Sequence, residues 1–291
     1  MVDQLQWNSI NCADAIEGLA SIPPSSVDCV LIDPPYNIGV NFGNSSCKKD
    51  ITDYVEWCEQ WLGESERILK DSGTLYIYGF SEILAHISTK VQLPHRWLIW
   101  HYTNKSVPSS KFWQRSHESI IVAWKPKRIF NLDEVREPYT KGFLKGAAGK
   151  KRKATPGRYG KSKNTIYKAH EKGALPRDVL KISALAGGAG MTERIGWCKD
   201  CKTSFCGREY AQHKAHETFK HPTQKPFELT RRLLAAACPE EGAKVVVPFA
   251  GTGSECHVAN SLGMHYLGIE LNQEYVTMAS DFIKRTKEPP V

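Results

Sequence analysis

Asp33-Pro34-Pro35-Tyr36 follows directly on Val27-Asp28-Cys29-Val30-Leu31-Ile32, a short, β-branched apolar run that reads as a buried strand. In open α/β sheets, ligands gather at the carboxyl ends of strands. Two prolines at such a place fix the loop and remove two backbone donors. What is left is an acceptor edge, formed by the Asp33 carboxylate and the Pro34 carbonyl, beside the flat ring of Tyr36. That set suits a planar group carrying an exocyclic amine: two acceptors for its N–H bonds and a ring to stack on. A nucleobase meets the description. Taken alone, the tetrapeptide also reads as an ordinary strand-ending turn, because Asp and Pro are common turn residues.

A second signal lies towards the other end. Lys244-Val245-Val246-Val247-Pro248-Phe249 reads as a buried strand, followed by Ala250-Gly251-Thr252-Gly253-Ser254 and a helical run to about Leu262. Gly251 and Gly253 let the backbone approach a ligand and turn sharply into that helix. Tyr266-Leu267-Gly268-Ile269-Glu270 then reads as a further strand ending in a carboxylate, the arrangement that holds ribose hydroxyls in Rossmann-like folds. The pattern points to an adenosine-containing cofactor. The third glycine of the dinucleotide fingerprint is missing and no hydride-transfer site is evident, which disfavours a nicotinamide enzyme.

Together these pieces resemble the β-class amino-methyltransferases of DNA, which move a methyl group from S-adenosyl-L-methionine to an exocyclic base nitrogen. The resemblance covers nearly the whole chain. It is carried by Asp14 in Cys12-Ala13-Asp14-Ala15, by Asp33-Pro34-Pro35-Tyr36 with Asn37-Ile38-Gly39, and by His117-Glu118-Ser119-Ile120-Ile121. His221-Pro222-Thr223-Gln224-Lys225-Pro226 and Phe249-Ala250-Gly251-Thr252-Gly253 complete it. The motif order, catalytic before cofactor glycines with a basic stretch between, is that of the β class. The resemblance implies that Asp14 contacts the cofactor adenine and Glu270 its ribose. Phe249, Gly251, Gly253 and Ser254 would shape the cofactor pocket, and Thr223 and Lys225 would hold the methionine end. Asp33 and Pro34 would hydrogen-bond the target amine, Pro35 would stiffen the loop, and Tyr36 would stack on the flipped base. Asp at the first motif position leans towards adenine N6 in this family, whereas Ser is usual in cytosine-N4 enzymes. One position departs from the pattern: Val247 stands where relatives usually carry Asp. That departure is the one encouragement for a non-catalytic DNA-binding relative; cytosine N4 or an RNA base is the other alternative.

Composition agrees. The chain has 291 residues and a formal net charge of +8, room for one large α/β domain with an insertion. Between Lys141 and Lys181 there are thirteen Lys and Arg against two acids, Glu171 and Asp178. This Gly-rich basic stretch, with Arg158, Tyr159 and Tyr167 interleaved, suits phosphate contact; a solvated loop without a partner is the plainer reading. Double-stranded DNA is the partner implied. The resemblance admits a homodimer and a cognate restriction endonuclease as further partners. At the end of the insertion, Cys198-x2-Cys201, eleven residues and His213-x2-His216 come close to a zinc-ligand spacing, with Cys206 as an alternative ligand. A structural zinc would staple a segment too poor in apolar residues for its own core. The remaining cysteines read as buried and reduced, as in a cytoplasmic protein, and no stretch reads as a secretory signal or membrane span.

These residues need a scaffold. Ile51 to Lys70 places Ile51, Val55, Cys58, Leu62 and Leu69 on one helical face; Thr74–Tyr78 reads as a strand, 82–91 as a helix, and 96–102 and 118–124 as strands. Trp57 and Trp61 read as helix-packing residues, and 227–237 as a helix that brings the His221–Pro226 block to the sheet. The alternation predicts a mostly parallel sheet with helices on both faces. With the resemblance this becomes a Rossmann-like methyltransferase fold in three parts. Residues 1–126 form a catalytic half and 127–219 a target-recognition insertion containing the segment 197–216. Residues 220–291 form a cofactor-binding half.

Overall fold

A computed structural model describes residues 5–37, 49–104, 110–152, 165–188, 190–239 and 242–286. Ile38, Gly39, Cys47, Arg158, Tyr159 and the tail from Glu288 lie outside the described residues. The chain divides into Met1–Phe130 with Asp178–Val291, and a small unit Asn131–Arg177. The stretch 127–219 is therefore shared between both.

In the large unit, β1 (Ser9–Cys12), α1 (Ala15–Ala20), β2 (Val27–Ile32), α2 (Ile51–Ile68), β3 (Leu69–Gly79), α3 (Ser81–Ser88), β4 (His95–His101) and β5 (His117–Trp124) come first. The small unit carries α4 (Lys141–Gly146), capped by the Thr140 hydroxyl, and a two-stranded ladder of β6 (Lys151–Arg152) and β7 (Thr165–Ile166). Tyr139 stacks on Phe143, and Phe143 meets Tyr167 edge-on. The large unit resumes with β8 (Val179–Lys181), α5 (Gly190–Glu193), β9 (Ile195–Cys198), β10 (Thr203–Cys206) and β11 (Thr218–Lys220). It ends with α6 (Phe227–Ala237), β12 (Lys244–Val247), α7 (Ser254–Ser261), β13 (His265–Glu270) and α8 (Gln273–Arg285).

The main sheet has the order β1-β13-β12-β2-β3-β5-β4-β8. β1, β13, β12, β2 and β3 are mutually parallel, whereas β5 runs antiparallel between β3 and β4. Apart from Asp28, both faces of β2 are apolar, which is why its sequence runs hydrophobic without alternation. Cys29 and Leu31 join Leu233, Leu234, Met278 and Phe282 on one face; Val30 and Ile32 join Leu19, Cys58, Trp61 and Leu84 on the other. Each such fully buried aliphatic contributes about 1.5–3 kcal/mol. Helices thus cover both faces of a mostly parallel sheet, as the alternation predicts.

Boundaries differ where pairing overrides periodicity. The helix expected to reach Lys70 stops at Ile68, because Leu69 pairs with Val27 as the first residue of β3. Lys70 then reaches the buried Asp28 carboxylate at 2.8 Å. The topology fixes where chemistry can occur. Chain order reverses between β2 and β12, so Asp33, Phe80, Phe249, Glu270 and Asp14 all leave parallel strands along one edge. Because β5 is antiparallel, its amino end with His117 and Glu118 reaches the same edge.

Candidate active site

Asp33 is held from two sides. Its Oδ2 accepts a hydrogen bond from Lys225 Nζ at 2.6 Å, and its Oδ1 accepts one from the Tyr36 hydroxyl at 2.7 Å. Glu118 closes the group: its Oε2 lies 3.4 Å from the Tyr36 hydroxyl and 3.8 Å from Lys225 Nζ, and its Oε1 accepts from the Tyr102 hydroxyl at 3.4 Å. Lys225 is 3 % exposed, and its Nζ lies 5.4 Å from the Tyr36 ring centre and 5.1 Å from that of Tyr78. Burial alone would lower its pKa; Asp33, Glu118 and Glu255 outweigh burial and carry it above the usual lysine value. Burial, then Asp33 and Glu118, pushes the Tyr36 phenol well up, so it donates and does not ionise. The Tyr54 hydroxyl of α2 donates to the Pro35 carbonyl at 2.8 Å. No donor among the described residues reaches the Pro34 carbonyl. Tyr36 itself is buried, with Phe80 edge-on at 5.1 Å.

Glu255, at the start of α7, is the third acid of the group and is itself buried. Burial and then the Asp33 charge push its pKa up to about 7, while the Ser254 hydroxyl donates to it at 2.7 Å. A folded-state value above the ordinary 4.5 means that the fold binds this proton more tightly than the unfolded chain does. The stabilisation is complete below that ordinary value and is lost as pH rises through about 7. Glu255→Gln is therefore expected to flatten the fall in melting temperature between acid and mildly alkaline pH. Its advantage reaches about 3 kcal/mol on the alkaline side, and thermal melts of both proteins across that range provide the check.

The edge where the sequence expects the cofactor is built on β12 and β13. Gly251 (φ +49°) and Gly253 (φ +73°) take left-handed backbone, and Gly253 caps α7. A Cβ on Gly251 would sit 3.2 Å from the His221 ring, and one on Gly253 would sit 2.8 Å from Ala279 Cβ. Glu270 ties the loop down, accepting from the Gly251 amide at 2.9 Å and the Asn272 amide at 2.8 Å; burial raises its pKa. Phe249 packs edge-on against Trp57 at 5.7 Å and Trp61 at 6.1 Å, which gives both tryptophans the packing role expected of them. Gly251→Ala should lower the melting temperature, because left-handed backbone strain of about 1–2 kcal/mol adds to displacement of the His221 ring. Thermal melts of both proteins read this directly.

The expected residues separate into groups. Asp33, Pro34, Pro35 and Tyr36 form the centre of the site, and Gly251, Gly253, Phe249 and Glu270 line the same edge. Asp14 caps α1, its Oδ1 accepting from the amides of Ile16 at 2.8 Å and Glu17 at 3.2 Å. Ser254 is buried, with its hydroxyl committed to Glu255. Thr223 offers its carbonyl to His221 Nδ1. Lys225, expected at the methionine end, donates to Asp33 Oδ2, a carboxylate beside a buried ammonium. Val247 is buried among apolar neighbours and supplies no polar group. Cys198, Cys201, His213 and His216 come together, with ligand atoms all within 4.8 Å of one another. Glu118, Glu255, Tyr54, Tyr102 and His221 are the site residues to which the sequence assigned no role.

An α/β sheet with a carboxylate, a proline carbonyl and a glycine-rich turn on one carboxyl edge defines a Rossmann-like methyltransferase. The sequence model of the DNA methylase family N6_N4_Mtase matches residues 27–281, and the chain belongs to this family. The DNA adenine methyltransferase YhdJ of Escherichia coli K12 is 29 % identical over 273 residues, which is 91 % of this chain and 79 % of that protein. Among solved structures, the cytosine-N4-specific PvuII DNA methyltransferase aligns over 96 % of this chain and 87 % of its own, with a TM-score of 0.64 and 15 % identity. TTHA0409 from Thermus thermophilus, solved with S-adenosyl-L-methionine, aligns over 95 % of this chain and 93 % of its own, with a TM-score of 0.55 and 19 % identity. The two structures bear on the fold.

The residues present fit S-adenosyl-L-methionine. Gly251 lets its backbone come close to the His221 ring where a Cβ would crowd it, and the tip of β13 carries the Glu270 carboxylate. The half-buried Asp33 and the buried Glu118 and Glu255 around one ammonium leave an excess of negative charge suited to a cation. When bound, the cofactor supplies an electrophilic methyl on a sulfonium. No helix among the described residues is long and apolar enough to cross a membrane.

Proposed function

We propose that this chain transfers a methyl group to the N6 amine of adenine in double-stranded DNA, with the target base turned out of the duplex. The observation that carries the reading is the Asp33 carboxylate, held between Lys225 and Tyr36 at the tip of β2. Beside it stands a Pro34 carbonyl that no described donor occupies. An Asp at this position is the adenine-leaning form of the motif, and the order of motifs supports the β-class arrangement.

The mechanism follows from the amine. Its lone pair is delocalised into the ring, which makes it a poor nucleophile. Accepting one N–H at Asp33 and the other at the Pro34 carbonyl localises that pair on nitrogen, facing the methyl donor. The acceptors are fixed before reaction, so the gain is electrostatic preorganisation with positioning. Lys225 stays on Oδ2. The Tyr36 hydroxyl is the exchangeable partner: with Glu118 Oε2 at 3.4 Å, it can turn there and free Asp33 Oδ1 for the base. As nitrogen becomes positive, its N–H bond to Asp33 offers the path for the surplus proton. No covalent enzyme intermediate is needed, which leaves the cysteines without a catalytic task. Turning the base out costs a few kcal/mol; stacking on Tyr36, worth about 1–3 kcal/mol, offsets part of it only once that buried ring is uncovered.

Exposed Lys141, Lys145, Lys150, Lys168 and Lys172 in the small unit supply charge for backbone phosphates. We assign target recognition to the insertion 127–219 that contains it. The test is methyl transfer from labelled S-adenosyl-L-methionine to mixed-sequence duplex DNA, followed by nucleoside mass spectrometry. N6-methyladenine is the expected product. N4-methylcytosine would keep the site and overturn the base, and the absence of any methylated base would overturn the reading.

A further inference from the structure

The small antiparallel sheet β10-β9-β11 carries four side chains that the methyl-transfer site does not use. Cys198 ends β9, directly opposite Thr203 of β10 and Thr218 of β11. Cys201 lies in the β9–β10 turn, which closes through Lys202 at φ +51°. A 3-10 turn over Gly207–His213 returns the chain, and the His216 amide donates to the His213 carbonyl at 3.0 Å. Two turns from separate places in the sequence thus deliver two sulfurs and two imidazoles to one end of one sheet.

We propose that these four residues bind a structural zinc ion through Cys198 Sγ, Cys201 Sγ and one ring nitrogen each of His213 and His216. Zinc–sulfur bonds of about 2.3 Å and zinc–nitrogen bonds of about 2.0–2.1 Å place tetrahedral ligand atoms about 3.3–3.8 Å apart. All four ligand atoms here lie within 4.8 Å of one another, and His216 Nδ1 stands 3.3 Å from Cys198 Sγ and 3.2 Å from Cys201 Sγ. The set is already gathered to the size of one ion. The donor chemistry, two thiols and two imidazoles, favours zinc over the hard cations that prefer oxygen.

Two further observations point to a ligand. His213 is only 9 % exposed, and its Nδ1 is buried with no hydrogen-bond partner. A buried, unpaired imidazole nitrogen costs about 1–3 kcal/mol, a cost that a metal bond removes. The Cys201 amide points at Cys198 Sγ at 3.4 Å, a donor placed to stabilise a thiolate more than a thiol. Cys206 is not the fourth ligand, because its Sγ faces the Thr192 carbonyl at 3.6 Å.

The sheet has little else to hold it. Its strands are four, four and three residues long, and its buried apolar side chains are few, chiefly Ile195 and Phe205. Yet it anchors a segment that matters. β11 runs directly into His221-Pro222-Thr223-Gln224-Lys225. Gln224 bonds back into the same region, accepting from the Ile195 amide at 2.9 Å and donating to the Glu193 carbonyl at 2.8 Å. On the other side, the Ser204 amide and hydroxyl donate to Asp281 of α8 at 2.8 and 2.7 Å. The ion would lock the sheet that places Lys225, an anchoring role separate from the chemistry.

The test is metal content of the full-length protein, purified without added zinc and without chelators. About one zinc per chain is expected, retained by Cys206→Ser and lost from the Cys198→Ser, Cys201→Ser double variant. Should that variant fail to fold, the wild-type protein stripped with a strong chelator and given cobalt(II) replaces it. Intense visible bands of tetrahedral cobalt with thiolate-to-metal charge transfer would support the site. Less than about a tenth of an equivalent of zinc together with no cobalt uptake would overturn it. Full zinc in the folded double variant, or a weak octahedral cobalt spectrum, would overturn it as well. None of these readouts depends on methyl transfer.

Discussion

Asp33→Ala lowers single-turnover methyl transfer by about 10²–10³-fold or more, the usual cost of removing one preorganised partner of a reacting group, while affinity for S-adenosyl-L-methionine changes by less than about tenfold. The structure adds a second consequence. Lys225 Nζ is 2.6 Å from Asp33 Oδ2 and almost entirely buried, so alanine strands an ammonium whose remaining ion-pair partner is Glu118 at 3.8 Å, with the Glu255 charge acting from farther off. Breaking a buried pair from one side costs about 3–5 kcal/mol, enough to depress the melting temperature visibly. A loss of activity alone would therefore confuse chemistry with folding. Asp33→Asn combined with Lys225→Met separates them, since it removes both charges and preserves most of the volume. Stability should return in part in the double variant, because Glu118 and Glu255 still lose the ammonium between them, and transfer should not return. Near-normal transfer in a folded Asp33→Ala protein would sink the proposed mechanism.

The strand that carries Asp33 was legible because buried parallel strands write themselves as near-continuous apolar runs, and Val27–Ile32 is such a run, interrupted only by the ion-paired Asp28. Gly251 and Gly253 were legible because left-handed backbone leaves few alternatives to glycine. Glu118 was not, although it sits in a recognised segment. Its place at the site depends on β5 running against its neighbours, and strand direction leaves no local mark in sequence. Lys225 shows the same limit more sharply. Its partner lies 192 positions away, and an ammonium beside a glycine-rich turn reads equally well as a clamp for a carboxylate ligand. Asp14 carried a signal that went unused: Asp followed three residues later by Glu17 is a helix start, and the carboxylate serves as that cap. The end of α2 was misjudged because the apolar periodicity continues through Leu69, while pairing with Val27 ends the helix one residue earlier. The cysteine–histidine cluster was readable from spacing, since a metal-like pattern constrains ligands more tightly than propensity constrains strands.

Lys225→Met distinguishes the two places this residue could serve. If its ammonium chiefly holds the methionine carboxylate, the variant loses cofactor affinity and keeps the stability and pH response of the parent. The geometry favours another result. Lys225 faces Asp33, Glu118 and Glu255, and its pKa lies above the ordinary lysine value because these carboxylates outweigh burial. It therefore stays charged through neutral pH, and its stabilisation is lost only as pH rises beyond the usual lysine range. Removing it leaves the half-buried Asp33 and the buried Glu118 and Glu255 without their shared cation. Lys225 also acts to lower the Glu255 pKa, now about 7, so in the variant that value rises further. A carboxyl whose folded-state pKa is raised stabilises at low pH and ceases to do so as pH climbs through it. The melting temperature of Lys225→Met should thus fall more steeply than that of the parent from acid to mildly alkaline pH, with a stability loss of about 3–5 kcal/mol on the alkaline side. Turnover should drop about 10²–10³-fold, because Asp33 loses the group that fixes its orientation, while the dissociation constant for S-adenosyl-L-methionine moves less than about tenfold. Melts across pH, calorimetric titration and single-turnover rates on one preparation give all three numbers. An unchanged pH response with a large loss of cofactor affinity would return Lys225 to the methionine end.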